Sequence, residues 1–179
     1  SDVHFSGTIT YDNTGQTNTY SIGGILGESY SMSTNSTISQ SSSTGTLSTT
    51  GVTTSSNYVY FGGIAGRVLT SSTSLVISDS LSAVVMNFNY SGARNNYTGG
   101  ITGSFTGSSN NEILRSYSVS TLHSNAANSY RGQLIGSAGS TPRITDSKAL
   151  TGYGNLVGNG SVTNTNSSLQ SAANLKQQA

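Results

Sequence analysis

The sequence predicts an all-β fold, a β-solenoid of about five coils with three short strands per coil. Three observations predict it. A Gly-Gly-aliphatic stretch returns along the chain: Ser21–Gly27, Tyr60–Gly66 and Tyr97–Gly103 are close copies, and Tyr130–Gly136 and Tyr153–Gly158 are weaker ones. The copies begin about 39, 37, 33 and 23 residues apart, and repeats of this period mark solenoids, propellers or arrays. The composition agrees. Ser and Thr supply about a third of the chain and Gly 22 residues, while only 32% is apolar, which suits tightly turned coils with narrow interiors better than a sandwich. Finally, the segments between the copies recur in one order, strand, Gly-Gly strand, strand.

The 179 residues read as one domain, 1–179, with coils beginning near residues 3, 44, 83, 120 and 149. The first strands are Val3–Tyr11, Gly45–Ser48, Ala83–Phe88, Thr121–His123 and Ala149–Thr151. The Gly-Gly strands follow. The third strands are Ser36–Ser41, Leu75–Ser80, Glu112–Ser116, Arg143–Ser147 and Ser161–Thr165. Residues 167–178 are helix-compatible and suit a short capping helix over the last coil.

Strand alternation divides each Gly-Gly strand into two faces. One face carries Tyr60, Gly62, Ile64 and Gly66 with their counterparts; the other carries Phe61, Gly63, Ala65 and Arg67. Because Arg131, Gln133 and Asn155 fall on the second face, that face is expected to be outer. The expected core ladder is then Ile25, Ile64, Ile101, Leu134 and Leu156, with Tyr60, Tyr97 and Tyr130 inside beside the glycines. Ile22, Leu26, Phe61, Ala65, Ile135 and Val157 form an outward, partly apolar strip expected to be a contact site. A second ladder runs through Ile38, Ile77, Ile113, Ile144 and Val162. Two residues further on, the aligned position reads Gln40, Asp79, Arg115, Asp146 and Asn164. Stacked coils would set Arg115 between Asp79 and Asp146, a favourable cross-strand order. A corner between the isoleucines and these charges would leave the charges partly wet.

These residues resemble the repeats of the GLUG-motif family, in which a Gly-Gly-(Leu/Ile)-Val-Gly stretch, a polar turn and an Ile-Thr-Asn-Ser-Tyr-like strand follow one another. Gly23–Gly27, Gly62–Gly66 and Gly99–Gly103 match well, as do Ile77–Leu81 and Ile113–Tyr117. Gly132–Gly136 departs at Gln133, and Asn155–Gly158 keeps half the motif. The similarity spans most of residues 3–166. It implies β-solenoid coils of large secreted or surface-attached, adhesin-like proteins, with no chemistry assigned to the repeats. In such proteins a segment similar to Asn174–Ala179 leads into a Trp-containing closing strand.

A net charge of +1 offers no footprint for nucleic acid, and no apolar run approaches membrane-spanning length. Without an initiator Met or a signal-peptide pattern, the chain reads as a processed or excised piece. The absence of Cys excludes disulfides and thiolate metal sites. His4 and His123 lie too far apart in sequence to suggest a paired site. Of the six acids, Asp2, Asp12, Glu28, Asp79, Glu112 and Asp146, only Asp79 and Asp146 share an aligned position, so the converging carboxylates of a polysaccharide-cleaving enzyme are not in evidence. No serine-nucleophile elbow occurs. Sequons at Asn35, Asn89, Asn96, Asn159 and Asn166 permit N-glycosylation, at about the number that so Ser/Thr-rich a chain produces by chance.

The sequence therefore leads to a non-enzymatic structural or adhesive protein outside the cell, without cofactor or metal. It would be a subunit or segment of a surface filament or adhesin. Its expected partners are copies of itself or neighbouring domains of a larger surface protein. A carbohydrate- or ice-binding module is the alternative, although Thr8-Ile9-Thr10 and Thr163-Asn164-Thr165 do not recur in every coil as ice binding would require. A polysaccharide lyase or hydrolase is the reading with least support.

Overall fold

The computed structural model of the chain describes residues 2–12, 14–15, 18–50, 58–88, 95–124 and 129–176. It is a β-solenoid: the backbone winds through three walls, and every strand pairing among the described residues is parallel. The first wall stacks His4–Asp12, Ser42–Thr50 and Leu81–Phe88, then the short strands Tyr117–Ser118 and Thr121–Ser124, Lys148–Leu150 and Ser168–Gln170. The third wall stacks Ser36–Ser39, Leu75–Ser78, Glu112–Leu114, Arg143–Thr145 and Thr163–Thr165. Only the first three levels carry full-length strands in the first wall, so the winding differs slightly from five equal coils. A single helical turn and a little more, Ala172–Lys176, follows the last strand.

The middle, glycine-bearing wall is bent. In each of its first three levels the expected single strand is two: Tyr20–Gly23 and Leu26–Tyr30, Val59–Gly62 and Ala65–Leu69, Asn96–Gly99 and Thr102–Thr106. The break falls at the second glycine and the aliphatic after it. Close approach explains the glycine: a Cβ on Gly63 would sit 1.8 Å from Ser82 Oγ of the first wall and 2.3 Å from the Gly100 carbonyl of the next level. The walls touch there, and the interior is divided in two. One apolar cluster, holding Ile64, Ile77, Ile101, Ile113, Leu134 and Ile144, lies between the far half of the glycine wall and the third wall. The other, holding Leu47, Phe61, Val84, Met86, Phe88 and Leu122, lies between the near half and the first wall.

The core ladder stands in one column. Ile64, Ile101 and Leu134 are fully buried, and Ile25 and Leu156 pack half-buried against them at the two ends. Backbone bonds link successive members: Ile25 N–H donates to the Ile64 carbonyl, Ile64 to Ile101, and Ile101 to Leu134. In the second ladder Ile38, Ile77, Ile113 and Ile144 pair in register. Its fifth member needs correction: Asn164, not Val162, pairs with Ile144. Val162 still packs half-buried on the same cluster. The last coil thus carries a polar residue where the others carry isoleucine, and Asn164 uses its side chain to hold Ser167, accepting from its N–H and donating to its carbonyl.

The corner after the third wall is the most regular part of the fold. Gln40, Asp79, Arg115, Asp146 and Asn166 all adopt left-handed φ, between 44° and 55°, a conformation that Asp and Asn accept more readily than most residues. The aligned residue of the last coil is therefore Asn166 rather than Asn164. Each corner residue is followed by a buried serine: Ser41, Ser80, Ser116, Ser147 and Ser167. Each serine hydroxyl donates back to the carbonyl two residues earlier; Ser80, Ser116, Ser147 and Ser167 each accept from the serine N–H of the preceding level, and Ser41 accepts from the Val3 N–H. The polar composition is thereby absorbed into the interior without leaving these groups unpaired.

Candidate functional site

Among the described residues, three inter-coil ion pairs organise the charges. Arg115 donates from Nε and Nη2 to the two oxygens of Asp79, both at 2.7 Å. Arg67 donates to Glu28 at 3.0 Å, and Arg143 to Glu112. The last two pairs escaped the sequence reading, although both fall on register partners. In the charge ladder Asp79 and Arg115 come together, whereas Asp146 accepts from Asn166 Nδ2 at 2.7 Å. The hydrogen bond from Arg115 holds the Asp79 carboxyl below its ordinary value, and Asp79 in turn raises the Arg115 guanidinium. The remaining acids are also engaged: Asp2 lies 2.8 Å from His4 Nε2, and Asp12 accepts from the Thr14 N–H. Among the described residues no three His, Asp or Glu side chains gather as metal ligands, and no helix is long and apolar enough to cross a membrane.

The contact strip is not on the surface. Ile22, Phe61, Ala65 and Ile135 are buried, and Leu26 and Val157 pack half-buried against the core. The bend at each Gly-Gly pair is the reason. It breaks the alternation assumed across the whole stretch, so Phe61 and Ile64, expected on opposite faces, both point inward. Gln133, taken as a marker of the outer face, is fully buried, while Arg131 and Asn155 are exposed.

With Phe61 inside, its neighbour Tyr60 faces the other way. Tyr60 and Tyr97 are buried, as expected of an interior stack, and Tyr130 is half-buried, but the three belong to neither apolar cluster; their ring centroids lie 5.4 Å apart at each step, with planes within 12° and 15°. The Arg67 guanidinium lies 4.9 Å from the Tyr60 ring centre, and Asn95 Nδ2 donates to Tyr97 Oη. Burial pushes the Tyr60 phenol up. The inward column on the same strands changes character along the stack: Val59 and Phe61 are followed by Asn96 and Thr98, then by Ser129 and Arg131. Asn96 and Thr98 are buried, and neither the Asn96 amide nor Thr98 Oγ1 has a hydrogen-bond partner.

Beside Ser129, Tyr130 and Arg131 lies an open pocket of about 410 Å³, completed by residues 152–155, Val157 and Gly158 of the next level. It exists because the last coil is short. Pairing between Ser129–Ala138 and Asn155–Gly160 begins only at Gly132 and Asn155 and then shifts register, so residues 151–154 do not pair with Ser129–Arg131. Tyr153, which would extend the ring stack, turns edge-on to His123 and packs towards the second apolar cluster.

Of the sequons, Asn35, Asn159 and Asn166 are exposed, though Asn166 is engaged with Asp146. Asn96 is only 3% exposed, so this site is closed in the folded chain. Asn89 lies outside the described residues. Comparison with protein-family models, with curated proteins and with solved structures finds no match to this chain.

Proposed function

We propose that this chain is an extracellular structural or adhesive repeat protein of the GLUG-motif kind, acting as a subunit or segment of a surface filament or adhesin rather than as an enzyme. The observation that carries the reading is the engagement of all six carboxylates in local or inter-coil bonds. A glycan-cleaving β-solenoid needs two acids held open to one substrate; here Glu28, Asp79, Glu112 and Asp146 fasten one coil to the next, and Asp2 and Asp12 bond locally. A stack of coils stabilised by nearest-neighbour contacts is a stiff spacer, and its parallel strands offer open edges to further coils, to a copy of itself or to a neighbouring domain.

The test is adhesion and assembly. Beads carrying the chain are expected to be retained on cells or on polysaccharide-coated surfaces, or the free chain to assemble as its concentration rises in light scattering. Neither retention nor assembly, or a steady release of sugar fragments from any polysaccharide, would overturn the proposal.

A further inference from the structure

We infer that the first level of the stack pairs, edge to edge, with the first level of a second copy of this chain, the two copies related by a two-fold axis through Thr8. This goes beyond the adhesive reading: it names the end at which copies meet and the partner that end takes. The two ends of the stack differ. At the first level His4–Asp12, Tyr20–Gly23, Leu26–Tyr30 and Ser36–Ser39 each have a strand on one side only among the described residues. Phe5, Ile9, Tyr11, Ile25 and Ile38 of this level are half-buried, whereas Leu47 and Ile77, which pair with Ile9 and Ile38 one level up, are fully buried. A further layer over the first level would finish that burial. The last level instead closes on itself. Asn164 stands in the isoleucine column, and its Oδ1 takes the Ser167 N–H. In the lower levels the same N–H, of Ser41, Ser80, Ser116 and Ser147, donates to the serine of the next level. The strand Thr163–Thr165 is polar and exposed throughout. A copy stacked on that end would cover a polar column at a cost and meet a corner whose N–H is already bonded. Head-to-tail stacking is disfavoured, and the first level meets its own kind.

Two like surfaces join about a two-fold axis, which sets the two edge strands antiparallel. His4–Asp12 fits that operation. Val3 turns both backbone groups towards the second level, its N–H donating to Ser41 Oγ and its carbonyl accepting from the Ser42 N–H. Backbone direction alternates along a strand, so His4, Ser6, Thr8, Thr10 and Asp12 turn their N–H and C=O groups to the open edge. With Thr8 on the axis these residues meet as hydrogen-bonded pairs, Thr8 with Thr8, Ser6 with Thr10 and His4 with Asp12. The same register sets Phe5 opposite Tyr11 on the inner face, an aromatic cross-strand pair on each side of the axis. Charge agrees on the outer face. The His4 imidazole, exposed beside Asp2, faces the exposed Asp12 carboxylate of the second copy, again on each side of the axis. A shift of two residues in either direction, the next register that keeps the faces, loses both matches.

Sedimentation equilibrium of the full chain tests this. A monomer–dimer equilibrium that goes no further is expected, because a two-fold contact closes on itself. Thr8→Lys sets two ammonium groups against each other at the axis and should raise the dimer dissociation constant about threefold or more. Thr8 is exposed, so the variant should fold, which circular dichroism checks. The chain has no cysteine, so Thr8→Cys reports the register directly. Hydrogen-bonded antiparallel partners stand about 5.5 Å apart at Cα, within disulfide reach. Mild oxidation should therefore give a covalent dimer under conditions in which Thr163→Cys, on the last level, stays uncoupled. A chain that stays monomeric into the millimolar range, a ladder of longer oligomers, a Thr8→Lys dimer as tight as the parent's, or Thr163→Cys coupling as readily as Thr8→Cys would overturn the interface. Bead adhesion separates this claim from the adhesive one. Retention of a chain that is monomeric in solution removes the interface and leaves the adhesive reading, whereas a dimer that grows no further and is retained on no surface keeps the interface and removes that reading.

Discussion

At the scale of single residues, this fold tolerates polar groups inside where they are paired and stores a cost where they are not. Thr98 is fully buried with Oγ1 unpartnered, one rung from Phe61 and one from Arg131. A buried hydroxyl without a partner costs about 1–3 kcal/mol. Thr98→Val keeps the shape and removes the group, so we expect it to raise stability by about 1 kcal/mol, seen as a rise of a few degrees in the melting temperature. A lower melting temperature would mean that the hydroxyl is satisfied. The sequence could place Thr98 on a strand but not inside one, because sidedness was inferred from Arg131, Gln133 and Asn155. Two of these are exposed and one is buried. Near a bend and next to a shortened coil, polarity does not report which way a side chain points. The isoleucine columns were legible because an aliphatic at one register position in every coil has few alternatives to burial.

At the scale of the element, the corner after the third wall carries more than its four or five residues suggest. Its left-handed residue turns the chain, and the serine after it ties that turn to the next level. Ser116→Ala leaves the buried Ser80 N–H without its acceptor and removes the bond to the Leu114 carbonyl; we expect a loss of about 1–3 kcal/mol in denaturant unfolding, against little change for an exposed serine. The same corner sets an acid response. Arg115 first, by hydrogen bonding, holds the Asp79 carboxyl below its ordinary 3.8. A group depressed in the folded state stabilises above its unfolded pKa, and that stability is lost as pH falls through the folded value. Asp79→Asn should therefore melt below the parent at about pH 6, with the gap closing on acidification to about pH 2. The gap is small because the pair is exposed, and a gap independent of pH would contradict the assignment. The corner was anticipated from the conflict between alternation and charge burial. The Glu28–Arg67 and Glu112–Arg143 pairs were not, because reading them requires the register in advance.

For the whole molecule, stability is a sum over neighbouring levels rather than a property of one centre. The repeat period made this architecture legible, but not the split interior or the pocket. Both depend on where strands break, and the break at Gly63 is set by contact with Ser82 of another wall, which no local pattern encodes. Ile101 bonds through its backbone to Ile64 below and Leu134 above and is fully buried between them. Ile101→Ala removes contacts from both adjoining levels, and a buried Ile→Ala change costs about 2–5 kcal/mol. Leu156, at the upper end of the column and only half-buried, has a neighbour on one side. Hydrogen exchange should register the difference. Leu156→Ala should speed exchange in Asn155–Gly160 and the strands that touch it while leaving the Val59–Gly62 level protected. Ile101→Ala should speed it on both sides of the middle level at once. If both variants unprotect the whole chain equally, the coils unfold as one cooperative block and nearest-neighbour stacking is the wrong account of what holds them together.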